Sequence, residues 1–141
     1  MTLHLIKLCV GADTVEDLAE WHRDPRSRGA DGRIRHVTRM WPKREAEVLD
    51  GGSLFWVVKG MVLVRQRILA LDAVEQDDGI RRCAIVLDPE LRRTLPQPRR
   101  PFQGWRYLNP AEAPADLDLS PDAAAALPPQ LQAALAELGV L

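Results

Sequence analysis

Apolar residues run almost unbroken through Leu54-Phe55-Trp56-Val57-Val58 and again through Met61-Val62-Leu63-Val64, with only Lys59-Gly60 between them. This pattern predicts two strands joined by a two-residue hairpin turn. From Arg65 to Leu71 the order Arg-Gln-Arg-Ile-Leu-Ala-Leu continues the second strand, so residues 62–71 read as one long strand whose first half is buried on both faces. Asp77-Asp78-Gly79 forms a second hairpin turn, and Ile80 to Leu87 reads as the partner strand. Three neighbouring strands joined this way make an antiparallel meander.

Upstream, residues 3–10 read as a short strand that Gly11-Ala12-Asp13 turns. A helix starts near Asp13 or Thr14, where Thr14-x-x-Asp17 has capping-box form. Val15, Leu18, Trp21 and His22 fall on one face at helical spacing. Asp24-Pro25 ends that helix, and residues 24–35 show no apolar period and read as a basic loop. An extended segment, His36 to Met40, precedes Trp41-Pro42, which breaks it. Pro42 then opens a helix through Leu49, closed by Asp50-Gly51-Gly52.

Downstream, Asp88-Pro89-Glu90-Leu91-Arg92-Arg93 suits one helical turn. The last thirty residues are rich in Ala, Pro and Leu. Ser120-Pro121 opens a short helix, and Pro129 opens another with Leu131, Leu135 and Leu138 on one face and Gly139 at its end. The expected fold is α+β: a mainly antiparallel, bent sheet or small β-barrel over residues 36–108, with flanking helices. Residues 1–108 form one domain, and 109–141 a helical extension.

A chain of 141 residues is the size of one domain and buries a real core. No apolar run reaches the roughly 18–20 residues needed to span a bilayer. The N-terminus has no basic stretch before its apolar residues, so it reads as a first strand rather than a signal peptide. Cys9 and Cys83 lie far apart inside apolar strand-like runs and read as buried free thiols, which fits a reducing cytoplasm.

Charge changes the picture. The chain sums to −1, but residues 23–106 hold eighteen of the nineteen Lys and Arg against eleven of the twenty Asp and Glu, an excess of seven. The ends are acidic. Sixteen of those cations are Arg, whose planar fork pairs with phosphate and carboxylate and stacks on rings. Aromatic and cationic residues alternate in Arg39-Met40-Trp41-Pro42-Lys43-Arg44 and in Arg99-Arg100-Pro101-Phe102-Gln103-Gly104-Trp105-Arg106-Tyr107. Single-stranded nucleic acid is held this way, cations on phosphates and rings on bases. Arg65 and Arg67, two apart on a strand, share a face and either line a groove or pair with neighbouring carboxylates. Arg39, Trp41, Lys43, Arg44, Arg65, Arg67, Arg99, Arg100, Trp105 and Arg106 are therefore the candidate anion-binding set. Trp41 and Trp105 fit equally well as core or rim residues covered by arginine stems.

Catalytic signals are weak. His4, His22 and His36 lack metal-ligand spacing, and neither cysteine sits in a CxxC. There is no GxSxG, P-loop or GxGxxG. Neither a metal nor a cofactor is expected.

Four stretches, Arg39 to Arg44, Gly52 to Gly60, Arg65 to Ile68 and Phe102 to Leu108, resemble an uncharacterised family of short bacterial proteins, mainly alphaproteobacterial. That resemblance implies no activity. The element order, a helix, a Gly-containing bend, a strand and then strands bearing basic residues, is also similar to the PUA-like superfamily with its ASCH domains. This likeness implies a small β-barrel that binds RNA, and some ASCH members hydrolyse modified nucleosides. The Lys, Thr and Glu those members use have no matching order here, since Thr38 precedes Lys43.

The leading expectation is a non-catalytic RNA-binding module with a basic, aromatic-containing face. The alternatives are a small hydrolase acting on a nucleoside or another anionic metabolite, and a protein-interaction module. In the last, the acidic C-terminal segment folds over its own basic face or docks on a partner.

Overall fold

The computed structural model describes residues 1–117 and 125–137. Its core is one sheet of seven strands: β1 (His4–Leu8), β2 (Ile34–Thr38), β3 (Ser53–Val58), β4 (Met61–Glu75), β5 (Arg81–Leu87), β6 (Arg92–Pro98) and β7 (Trp105–Leu108). The order is β2-β5-β4-β3-β1-β7, with β6 also paired to β4. Every pairing is antiparallel except that of β1 with β3. Among the described residues the helices include α1 (Val15–Arg23), α2 (Glu45–Leu49) and α3 (Pro129–Glu137), with a 3-10 turn at Pro25–Ser27.

The hairpin signals are realised. Lys59 and Gly60 take φ of +49° and +81°, the doubly left-handed turn that matches the twist of the flanking strands. β4 is longer than its apolar run because its two halves have different partners. Residues 61–67 pair with β3, and residues 68–75 pair with β5. The Ile68 N–H reaches the Gly52 carbonyl at 2.9 Å, while the Arg67 carbonyl accepts from the Asp88 N–H at 2.9 Å. Successive residues of a strand point their hydrogen-bonding groups to opposite edges, so β5 and β6 follow one another along the edge of β4 opposite β3.

α1 carries the capping box its sequence announces. The Asp17 N–H donates to Thr14 Oγ1, and the Thr14 N–H donates to Asp17 Oδ2, both at 3.1 Å. Val15, Leu18 and His22 are buried beneath it. α2 begins at Glu45, three residues after Pro42, and buries Val48. Leu135 of α3 is buried, whereas Leu138, Gly139 and the helix expected at Ser120-Pro121 lie wholly or mostly outside the described residues.

Two expectations are corrected. The helical turn at 88–93 is absent; Arg92 to Pro98 is strand β6, and a register shift between Val62 and Val64 marks its pairing with β4. Pro96 and Pro98 argue against a strand in sequence, but a strand with few sheet partners tolerates prolines at positions that donate nothing. The barrel is also absent. β2 and β7 end the sheet without pairing to each other, so it stays open.

The sheet nevertheless curls. In a flat sheet β2 and β3, with two strands between them, would lie about 14 Å apart. Yet the His36 ring on β2 and the Trp56 ring on β3 have centroids 5.3 Å apart. The inner face packs Leu5, Leu54, Trp56, Val64 and Ile85 with Val15, Leu18 and Val48 of the helices. The outer face packs Ile6, Phe55, Val57, Val62 and Leu108 with Leu8, Phe102 and Ala113. β3 is buried on both sides, which is why its sequence lacks alternation. The chain after β7 is tied to β6: the Leu95 N–H donates to Ala115 and the Leu117 N–H to Arg93, both at 2.9 Å.

Candidate functional site

The curl leaves a seam where β1, α1 and β2 approach without pairing, and a pocket of about 430 Å³ opens there. Its walls come from Lys7 and Cys9 of the β1 end, Asp17, Leu18 and Trp21 of α1, His36 and Val37 of β2, and Trp56 of β3. That volume falls in the range of pockets that enclose metabolite-sized ligands, about 300–1,000 Å³.

Lys7 reaches the pocket because of its register. It lies opposite Trp56 on one side and Trp105 on the other, on the inner face. It is the one charged residue in an apolar strand, it is half-buried, and no carboxylate among the described residues pairs with it. Burial lowers its pKa. His36 sits between the rings of Trp56 and Trp21, the latter centred 6.0 Å away. Its Nε2 is buried and has no hydrogen-bond partner among the described residues. Burial, with Lys7 and His22 nearby, pushes His36 down to about 4, so the ring is neutral at pH 7.

Behind this wall runs a buried polar chain. Trp56 Nε1 donates to Gln66 Oε1 at 2.8 Å, and Gln66 Nε2 donates to the Asp88 carbonyl at 3.0 Å and lies 3.4 Å from His22 Nδ1. His22 is likewise pushed to about 4, by burial and by Arg28. Trp56 is thus fixed by a hydrogen bond outside the pocket, and its ring is left as an apolar wall.

The pocket binds better than it reacts. Burial pushes the Cys9 thiol up to about 11, so it is not a thiolate nucleophile at neutral pH. Asp17 is held below the usual carboxylate range by the N–H groups of Asp13 and Thr14, the opposite of a general acid. What remains is a cation, an ionised carboxylate at the rim, a neutral imidazole and two indole rings.

The residues expected from sequence do not form one surface. Trp105 is a core residue, 7% exposed, with its Nε1 donating to the Met40 carbonyl at 2.9 Å. Arg44 pairs with Glu47, and its guanidinium lies over the Tyr107 ring at 5.7 Å. Lys43 is exposed nearby. Arg65, Arg67 and Arg106 belong to the outer face instead, as their registers with Phe55, Ser53 and Ile6 require. Arg65 makes a two-pronged bond to Asp116, at 2.7 and 2.8 Å, and Arg106 covers Phe102 at 4.8 Å. Arg99 lies at the β3–β4 turn, its N–H on the Gly60 carbonyl, and Arg100 is exposed beside it. Arg39 and Trp41 do come together, with Arg81, Arg82, Glu45 and Cys83, around a second hollow of about 350 Å³.

Sequence reasoning missed Lys7, Trp21, His36 and Trp56 as one site. The available signal was Lys7 itself, a lone charge inside an apolar strand. The four lie on four elements, and only the curl of the sheet joins them.

Fold and pocket together define an α+β protein with an open, mixed sheet and a ligand-sized cavity at its seam. The chain belongs to the family described as Protein of unknown function (DUF1489), whose model matches residues 5–141. No curated protein and no solved structure matches it. Among the described residues no helix is long and apolar enough to cross a membrane, and no cluster of His, Cys, Asp or Glu could hold a metal ion.

Proposed function

We propose that the protein is a binding module for a small organic anion with a flat apolar body, held in the seam pocket. The observation that carries this reading is an unpartnered, half-buried Lys7 and the neutral His36 ring lining one cavity with Trp21. Lys7 binds the acidic group, and the flat part of the ligand packs on the exposed Trp21 ring and the His36 ring beside it. The test is a thermal-shift panel of aromatic carboxylates and nucleoside monophosphates against the wild type and Lys7→Met. Saturable stabilisation that Lys7→Met abolishes supports the reading; hits that ignore the substitution contradict it.

A second reading, RNA or another polyanion, draws support from Arg67 and Arg106, which project from the outer face with no carboxylate partner among the described residues. It predicts binding of single-stranded RNA that weakens steeply with salt and is lost in Arg67→Ala/Arg106→Ala. Binding insensitive to salt would exclude it.

A further inference from the structure

We infer that the hollow around Trp41 is a separate binding site for a phosphomonoester group. Three guanidinium groups line it: Arg39 just past β2, and Arg81 and Arg82 at the start of β5. The β2–β5 register brings them together, since Thr38 faces Cys83 at that end of the ladder.

Their states differ. Arg82 is neutralised by Asp78, its two nitrogens 2.9 and 2.7 Å from the two carboxylate oxygens. Asp78 Oδ1 also accepts the Ile80 N–H at 3.0 Å, so that carboxylate is fully engaged. Arg39 and Arg81 have no carboxylate partner among the described residues. Arg81 is held in place by the Trp41 ring, its Cζ 5.4 Å from the centroid. The ring is held in turn by its Nε1, which donates to Glu45 Oε2 at 3.2 Å. The hollow therefore offers one fork oriented by a ring, Arg81, and a second, Arg39, neither in a salt bridge among the described residues, against Glu45 in its wall and Glu75 across the β4–β5 ladder from Arg81.

Arginine forks match the geometry of phosphate oxygens. A phosphomonoester carries about −1.5 to −2 at pH 7 and suits two such forks. A phosphodiester carries a single charge and offers fewer free oxygens. A volume of about 350 Å³ admits a phosphate with a small organic group attached. Trp41 is partly buried against the core and carries Arg81 over its ring, which leaves little of the ring for a base to stack on. This favours a terminal phosphate over a nucleic-acid strand.

The test is a titration followed by amide NMR at fixed ionic strength, with phenyl phosphate, inorganic phosphate, dimethyl phosphate and an oligouridylate with 5′-hydroxyl ends. The expected result is saturable shifts at Arg39, Trp41 and Arg81 with the first two probes, at least about tenfold weaker with the diester. Arg39→Gln and Arg81→Gln each weaken phenyl phosphate about tenfold. Glu45→Gln, which keeps an acceptor for the Trp41 indole, strengthens it. The shifts at Arg39, Trp41 and Arg81 persist in Lys7→Met, whatever that variant does to binding in the seam pocket. The inference is overturned if phosphate does no more than chloride, if Glu45→Gln and the arginine variants bind as the wild type does, or if the oligouridylate binds as tightly as the monoester.

Discussion

Acidification from pH 7 to pH 5 will destabilise this protein through two buried histidines. His22 and His36 both titrate near 4 in the fold, against an ordinary value near 6.5. Burial is the first cause for both, with Arg28 adding to it at His22 and Lys7 and His22 at His36. A lowered histidine pKa means that the unfolded chain takes up protons that the folded chain refuses. The stability this represents is fully present above about pH 6.5 and is lost as pH falls toward 4. A fall from 6.5 to about 4 is worth roughly 3 kcal/mol for a fully buried ring. Water reaches the partly buried His36, so its share is smaller. By pH 5 the pair loses roughly 3 kcal/mol, a large part of a typical domain's 5–15 kcal/mol. His4, lowered by burial and by Arg65, adds a smaller loss of the same sign. The carboxylates held low by arginines, among them Asp24 and Asp116, lose their contribution only below about pH 4.5 and stay out of this window. Urea unfolding at both pH values and constant ionic strength measures the difference, in the wild type and in His22→Gln/His36→Gln. The double variant should keep less than about a third of the wild-type loss. Equal wild-type stability at both pH values, or an undiminished loss in the variant, refutes the reasoning.

Gly52→Ala should prevent folding or cost more than about 3 kcal/mol, because its Cβ would sit 2.3 Å from the carbonyl oxygens of both Leu3 and Val48; soluble yield and denaturant midpoint report it. Trp105→Ala should cost roughly 3–5 kcal/mol in urea unfolding, as a core ring does; a fully stable variant that loses only polyanion binding would return Trp105 to the stacking role its sequence context suggests. Thr14→Ala removes the acceptor of the α1 capping box and should lower stability by about 1 kcal/mol, read as a shift in midpoint at constant slope.

The local signals in this sequence translate directly into structure. The Lys59-Gly60 turn, the capping box at Thr14 and the long strand after Met61 each depend on residues within a few positions of one another. β6 was illegible because its prolines speak against a strand and its place follows from pairing with β4. The charge excess was real, but its arginines divide between the two faces and many hold a carboxylate or a ring. Interleaving along the chain did not become one interleaved surface, since strand neighbours alternate faces. Trp41 with Arg39 survived as a cluster because both lie in one short segment; Arg81 and Arg82 joined them only through the β2–β5 register. The seam pocket was hidden for the same reason. Lys7, Trp21, His36 and Trp56 meet only after a sheet has curled over a helix.

The most direct measurement is an NMR titration of ¹⁵N-histidine-labelled protein with the strongest ligand from the carboxylate and monophosphate panel, observing the His36 ring nitrogens. Binding in the seam should shift the His36 Nε2 resonance saturably, and Lys7→Met should abolish the effect while the His4 ring stays still. A ligand that stabilises the protein yet leaves the His36 ring unmoved would place the binding function elsewhere on the molecule.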